Sequence, residues 1–168
     1  MLDILKQIAR IGIITEGRDQ PPSSSGESGE SADAARRALG PALCMRHVDS
    51  GSCNGCELEI HALGNAYYNI EADGMKFVAS PRHADLLLLT GPVSRHMHEA
   101  LTRTHGAMPS PKLVVALGDC GCDGGVFGEE GASRGRVSNV IPVDVAVPGC
   151  PPSPVRILQG ILAAIAPH

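Results

Sequence analysis

Residues 85–90 read DLLLLT, and residues 112–117 read KLVVAL. Each is a short, unbroken apolar run of strand length, with none of the alternation of a half-exposed strand. Runs of this kind are central strands of a parallel sheet covered on both faces. Between them, Ser94–Thr104 has a helical pattern that Pro109 and Pro111 bring to an end. Outward on either side, Met45–Val48, Lys76–Ala79 and Ile141–Val147 read as further strands. Glu57–Asn69 reads as a helix, with Leu58, Ala62, Leu63 and Ala66 on one face. Ser153–Ile165 reads as the last helix, with Pro154 tolerated in its first turn. Strands alternating with helices, joined by right-handed crossovers, predict an α/β fold. The natural form is a flavodoxin-like, doubly wound parallel sheet with helices on both faces.

The chain has 168 residues and a mass of 17.4 kDa, the size of one ordinary domain. Aromatic residues are only 2%, which argues against base-stacking platforms for single-stranded nucleic acid. A net charge of −4 argues against phosphate-backbone binding, so no nucleic-acid partner is expected. Charged residues make up 19%, fewer than the roughly 25% of an average soluble domain. So little charge, with so much Gly and Pro, suggests a surface that is largely hidden against partners. No run approaches the ~20 apolar residues of a membrane span. The N-terminus, MLDILKQIARIGIITEG, carries Asp3 and no long apolar core, so it does not read as a signal peptide. A cytoplasmic location is expected, and six cysteines there point to metal or redox chemistry before disulfides.

Three segments are expected along the chain. In residues 1–15, Leu2, Ile4, Leu5, Ile8, Ile11 and Ile14 form an apolar helical stripe. Residues 16–39 include GRDQPPSSSGESGESADA at 17–34, which has too little apolar surface to offset its ordering entropy and reads as a flexible linker. Residues 40–168 form the folded domain. The first helix either packs on this domain or, tethered as it is, docks on a partner; the tether favours docking.

Cys53 and Cys56 form a C-x-x-C just after the first strand, Cys120 follows KLVVAL, and Cys150 follows the last strand in VPGCPP. All four therefore lie beyond the carboxyl ends of parallel strands, along the edge where ligand sites form in open α/β sheets. Four thiolates gathered there make a sulfur site for zinc or an iron–sulfur cluster. Structural zinc usually takes two C-x-x-C knuckles. One knuckle with two single cysteines from separate loops suits the larger 4Fe–4S cube better, and the Cys-Pro pair is familiar from iron–sulfur loops. Gly51, Gly55, Gly118, Gly121 and Gly149 allow close backbone approach. Zinc and unmetallated thiols remain the alternatives. Cys44 precedes the first strand, on the wrong side of it for the site, and reads as a structural thiol. Cys122 is two residues from Cys120, but Cys120 follows the strand turn directly and is the expected ligand.

The stretches SCNGCELEI (52–60), TGPVSRHM (90–97), ALGDCGCDGGVFG (116–128) and VPGCPPSPVRILQGIL (147–162) resemble the small subunit of membrane-associated NiFe hydrogenases of the formate hydrogenlyase type. They also resemble the related 20-kDa subunit of respiratory NADH–quinone oxidoreductase. The resemblance covers roughly residues 40–165. It implies an oxidoreductase subunit without catalytic residues of its own, binding one 4Fe–4S cluster on Cys53, Cys56, Cys120 and Cys150 beside the active site of a large partner subunit. It also implies a ferredoxin-like iron–sulfur subunit and an integral membrane subunit as partners. The chain would then be peripheral on the cytoplasmic face of the membrane. Quinone-reducing relatives carry two adjacent cysteines at the first position, whereas C-N-G-C at 53–56 follows the hydrogenase pattern. Uptake hydrogenase small subunits hold two further clusters in a C-terminal domain; ending at His168, this chain is expected to carry the proximal cluster alone. The competing readings are a quinone-reducing oxidoreductase subunit and a zinc-stabilised assembly subunit without redox function.

Arg95 and His96 follow the central strand and are candidates to tune the cluster by charge or hydrogen bonding; otherwise they are solvated residues of a helix capped by Ser94. Glu59 matches a glutamate of the quinone-reducing relatives. Both Glu57 and Glu59 follow the C-x-x-C; Glu59 fits proton movement or subunit contact, although the helix dipole already accounts for a carboxylate in a first turn. His47, His61, His98 and His105 are scattered and read as ordinary. Asp123–Gly128 is glycine-rich, lacks the G-K-[ST] of a phosphate loop, and is expected to shape an interface beside the cluster.

Overall fold

The computed structural model describes residues 23–24 and 42–166. The expected helix at 1–15 lies outside the described residues, as does the linker apart from Ser23–Ser24. The elements in chain order are β1 (Ser23–Ser24), β2 (Leu43–Asp49), α1 (Gly55–Ala62), β3 (Met75–Phe77), β4 (Leu86–Thr90), α2 (Arg95–Ala107), β5 (Leu113–Leu117), α3 (Gly118–Asp123), β6 (Val145–Val147) and α4 (Pro154–Ile165).

Strands stand in the order β3-β2-β4-β5-β6, all parallel, with β1 antiparallel outside β6. Numbered by chain order, the five parallel strands run 2-1-3-4-5, the flavodoxin-like order. The expected fold class is therefore the observed one. The two apolar runs are the buried centre: every residue of β4 and β5 is buried. Their pleat divides them between two layers. Leu86, Leu88, Leu113 and Val115 face a core closed by Ile60 and Leu63 on one side and Ile157 and Ile161 of α4 on the other. Leu87, Leu89, Val114 and Ala116 face a second core closed by Leu101 of α2 with Val137 and Ile141. Among the described residues, no helix is long and apolar enough to cross a membrane.

Three elements differ most from expectation. The helix expected over 57–69 begins at Gly55 and ends at Ala62. Gly64 and Asn65 break it, and the Asn65 side chain accepts from the backbone N–H of Tyr67 and Tyr68, a turn that competes with helix. The last strand starts at Val145 rather than Ile141, because Pro142 has no N–H to donate; sheet pairing is set up only at Asp144, whose N–H bonds the Val114 carbonyl. The residues after β5 form the short helix α3 rather than a loop. Gly118, at φ +79°, starts it with a sharp turn that a Cβ would strain.

Candidate metal centre

Register aligns the carboxyl ends of four strands in one row: Asp49 beside Thr90, Thr90 beside Leu117, and Leu117 beside Val147. The cysteines follow directly. Strand order reverses between β2 and β4, so the C-x-x-C knuckle leaves the sheet at its topological switch point, the usual ligand position in such folds.

The knuckle is shaped by its own short side chains. Asp49 Oδ1 accepts from the N–H of Gly51 (2.8 Å) and Ser52 (2.7 Å), which folds the chain back at the end of β2. Ser50 Oγ donates to the carbonyl of Thr90 (2.7 Å). Gly91 lets the two strand ends touch: a Cβ there would lie 2.3 Å from the Ser52 nitrogen. Asn54, between the cysteines, sits at φ +71° and starts α1, so Cys56 lies in the first turn of that helix. On the other side, α3 and the loop before Cys150 clasp each other. Asp119 N–H donates to the Gly149 carbonyl (2.9 Å), and Gly149 N–H donates to Asp119 Oδ1 (2.7 Å). This pair fixes Cys120 relative to Cys150, and sequence reasoning did not anticipate it.

Glycines form a cradle for the sulfurs. A Cβ on Gly118 would come within 2.7 Å of Cys56 Sγ, and one on Gly125 within 2.8 Å of Cys120 Sγ. Burial pushes the Cys56 thiol up to about 12, followed by the charges of Glu57, Cys53, Cys120 and Cys150. Burial also raises Cys120, followed by the charges of Cys150, Cys53, Asp119 and Asp123. Cys56 and Cys120 thus each lie within the electrostatic reach of the other cysteines of the site. A cationic metal core, were one bound, would favour their thiolate forms. Cys53 and Cys150 are exposed, and Cys56 and Cys120 are half-buried, so the group opens to the protein surface. Among the described residues, no three Cys, His, Asp or Glu side chains converge tightly enough for a single metal ion.

The remaining cysteines lie apart. Cys44 is inside β2, not before it, at the amino end of the strand; its N–H donates to Asp85 Oδ2 at 2.9 Å. Cys122 turns back toward the sheet, and its thiol contacts the carbonyl of Ala116 at 3.7 Å. Burial pushes that thiol up to about 12, with a backbone contact at Val147 pulling the other way. Arg95 and His96 are exposed in the first turn of α2, which Ser94 caps by accepting from Met97 N–H at 3.2 Å. Glu59 is half-buried on α1. The acid that the fold buries is Glu57, 7% exposed, bonded to Ser52 and Thr90. His47, read as ordinary, joins the same group through Thr90 at 3.0 Å. The glycine-rich loop continues into residues that bond the β4–α2 turn: Val93 N–H to Gly135 O (2.9 Å) and Arg95 N–H to Ala132 O (2.8 Å). Exposed Leu58, Val126, Phe127 and Val155 border these cysteine-bearing segments.

Comparison with known proteins fits this geometry. The family model described as NADH ubiquinone oxidoreductase, 20 Kd subunit, matches residues 53–164. Over 127 residues the chain is 48% identical to a probable membrane-bound hydrogenase subunit, mbhJ, of Pyrococcus furiosus, covering 76% of each chain. It is 44% identical to formate hydrogenlyase subunit 7 of Escherichia coli, over 70% of this chain but only 46% of that protein. It is 41% identical to an NADH-quinone oxidoreductase subunit of Desulfovibrio desulfuricans, over 64% of this chain and 58% of that one. Among solved structures, a chain of the membrane-bound sulfane sulfur reductase, an archaeal respiratory membrane complex, superposes with a TM-score of 0.67 at 31% identity, over 77% of this chain and 72% of that one. A chain of the NAD+-reducing [NiFe]-hydrogenase superposes with a TM-score of 0.58 at 20% identity, over 76% and 94% of the two chains, which shows the shared fold.

Proposed function

The chain belongs to the family of the 20 Kd subunit of NADH ubiquinone oxidoreductase, and from that premise we propose that it is the electron-transfer subunit of a membrane-associated NiFe hydrogenase complex of the formate hydrogenlyase type. Cys53, Cys56, Cys120 and Cys150 would hold one 4Fe–4S cluster, whose chemistry is to take up and release one electron at a time. The observation that carries this reading is the placement of the four cysteines beyond strand ends that register aligns in one row, with Gly118 and Gly125 too close to Cys56 Sγ and Cys120 Sγ to admit a Cβ.

The hydrogenase branch is supported by the C-N-G-C knuckle and by identities of 48% and 44% to hydrogenase and hydrogenlyase subunits, against 41% to the quinone-oxidoreductase subunit. Exposure of Cys53 and Cys150 supports electron exchange with a partner docked over the site, since transfer needs close approach. The exposed apolar residues nearby suit such docking. In this reading hydrogen chemistry belongs to a large subunit, a ferredoxin-like iron–sulfur subunit exchanges the electrons, and an integral membrane subunit holds the assembly on the cytoplasmic face.

The test is to purify the complex that contains this chain and expose it to hydrogen without air. Visible absorption of the cluster should bleach under hydrogen and return on oxidation. Bleaching by quinol but not by hydrogen would move the chain to the quinone-reducing branch. Zinc in place of iron would make it a structural subunit.

A further inference from the structure

Glu57 stands where two hydrogen-bond chains meet. Asn54 N–H donates to Ser52 Oγ (3.0 Å), so the Ser52 hydroxyl proton is free to go to Glu57 Oε2 (2.6 Å). On the other arm, Thr90 Oγ1 donates to Glu57 Oε1. His47 Nε2 lies 3.0 Å from Thr90 Oγ1 and 3.6 Å from Glu57 Oε1. Each carboxylate oxygen of Glu57 thus meets one hydroxyl, Ser52 on one side and Thr90 on the other. The arms come from different places. One begins at the backbone inside the Cys53–Cys56 knuckle. The other begins on β2 and passes through the end of β4 at the switch point. Glu57 itself neighbours Cys56 in sequence and is buried.

We propose that Glu57 is a positioning residue for the metal centre: its carboxylate ties the Cys53–Cys56 knuckle to the end of the central strand, and its buried charge beside Cys56 holds the reduction potential of the cluster down. This rests on the cluster assignment above. The sign follows from Coulomb's law, since a fixed negative charge opposes addition of an electron to the site next to it. The same charge already opposes negative charge on the Cys56 sulfur, second only to burial. Glutamine is a poor substitute although its size matches. Its amide must donate with one end, and Ser52 would then have to accept twice and leave its own proton without a partner.

The experiment is a redox titration of the cluster followed by low-temperature EPR, with iron content, in the purified complex carrying wild-type chain, Glu57→Gln, Glu57→Asp or Thr90→Val. Glu57→Gln should keep its iron and shift the midpoint potential positive. Glu57→Asp retains the charge and should return the potential towards wild type while altering the EPR line shape, because the shorter side chain cannot span both hydroxyls. Thr90→Val cuts the tie to the central strand and should alter the EPR line shape with iron retained; it decides the matter if Glu57→Gln does not assemble. Unchanged potential and line shape in an iron-replete Glu57→Gln, or an unaltered line shape in an iron-replete Thr90→Val, overturns the inference. A wild-type complex with no cluster signal from this chain overturns the cluster assignment instead.

Discussion

Cys120 and Cys122 show how finely the outcome depends on single residues. They are two positions apart on a helix of six residues, so they leave it on different sides. Cys120 meets the field of Cys150 and Cys53; Cys122 also feels Cys56, but its thiol is turned to backbone atoms of Ala116 and Val147. In the sequence the two were separable because Cys120 follows the strand turn directly and because the family resemblance places the ligand at Cys120. Asp119 and Glu57 were not legible in the same way: their partners at Gly149 and Thr90 are distant in sequence and are brought near only by strand register. A second single-residue effect is far from the site. Burial and the charge of Lys112 hold the His105 imidazole below its ordinary value, with Asp144 pulling the other way. The unfolded chain therefore takes up this proton first. The stability from His105 is complete above about pH 6.5 and declines as pH falls towards the folded value. Thermal unfolding across that range should fall less steeply on acidification in His105→Gln than in wild type. Parallel declines would remove His105 from the account.

At the scale of elements, the long apolar runs were legible and the short ones were not. Four leucines in a row, at strand length and between turn signals, read as a strand covered on both faces, and β4 is that strand. By contrast, α1 ends early because Gly64 and Asn65 offer the backbone a turn, and three-residue β6 is set by a proline and by the pairing of Asp144 with β5. Packing of α4 on the sheet depends on a position that no periodicity marks. Gly160 lies against β6 so closely that a Cβ would meet Val147 Cγ2 at 2.2 Å. Gly160→Ala should therefore lower the unfolding free energy by about 1–3 kcal/mol, despite the better helix propensity of alanine. Denaturant unfolding measures this, and a more stable variant would mean that α4 is free to shift. Gly118→Ala adds strain from positive φ to a clash with Cys56 Sγ, so it should cost cluster retention as well as stability.

The described domain is a sheet whose carboxyl edge gathers cysteines from three separate strand ends, on segments that also carry exposed apolar side chains such as Val126 (93% exposed) and Leu58. Residues 1–15, beyond the described domain, carry the remaining apolar stripe. We propose from the sequence that this segment docks on a membrane-embedded subunit. Deleting residues 1–15 should leave cluster content unchanged and reduce recovery of the chain with the membrane fraction. Undiminished recovery would return the segment to a local role. The most direct measurement on the central claim is low-temperature EPR with iron content of the purified complex, comparing single Cys→Ser variants at all six cysteines. The account predicts that Cys53, Cys56, Cys120 and Cys150 variants each lose or alter one and the same signal, while Cys44→Ser and Cys122→Ser retain it with full iron. A signal that survives Cys120→Ser and disappears in Cys122→Ser would contradict it.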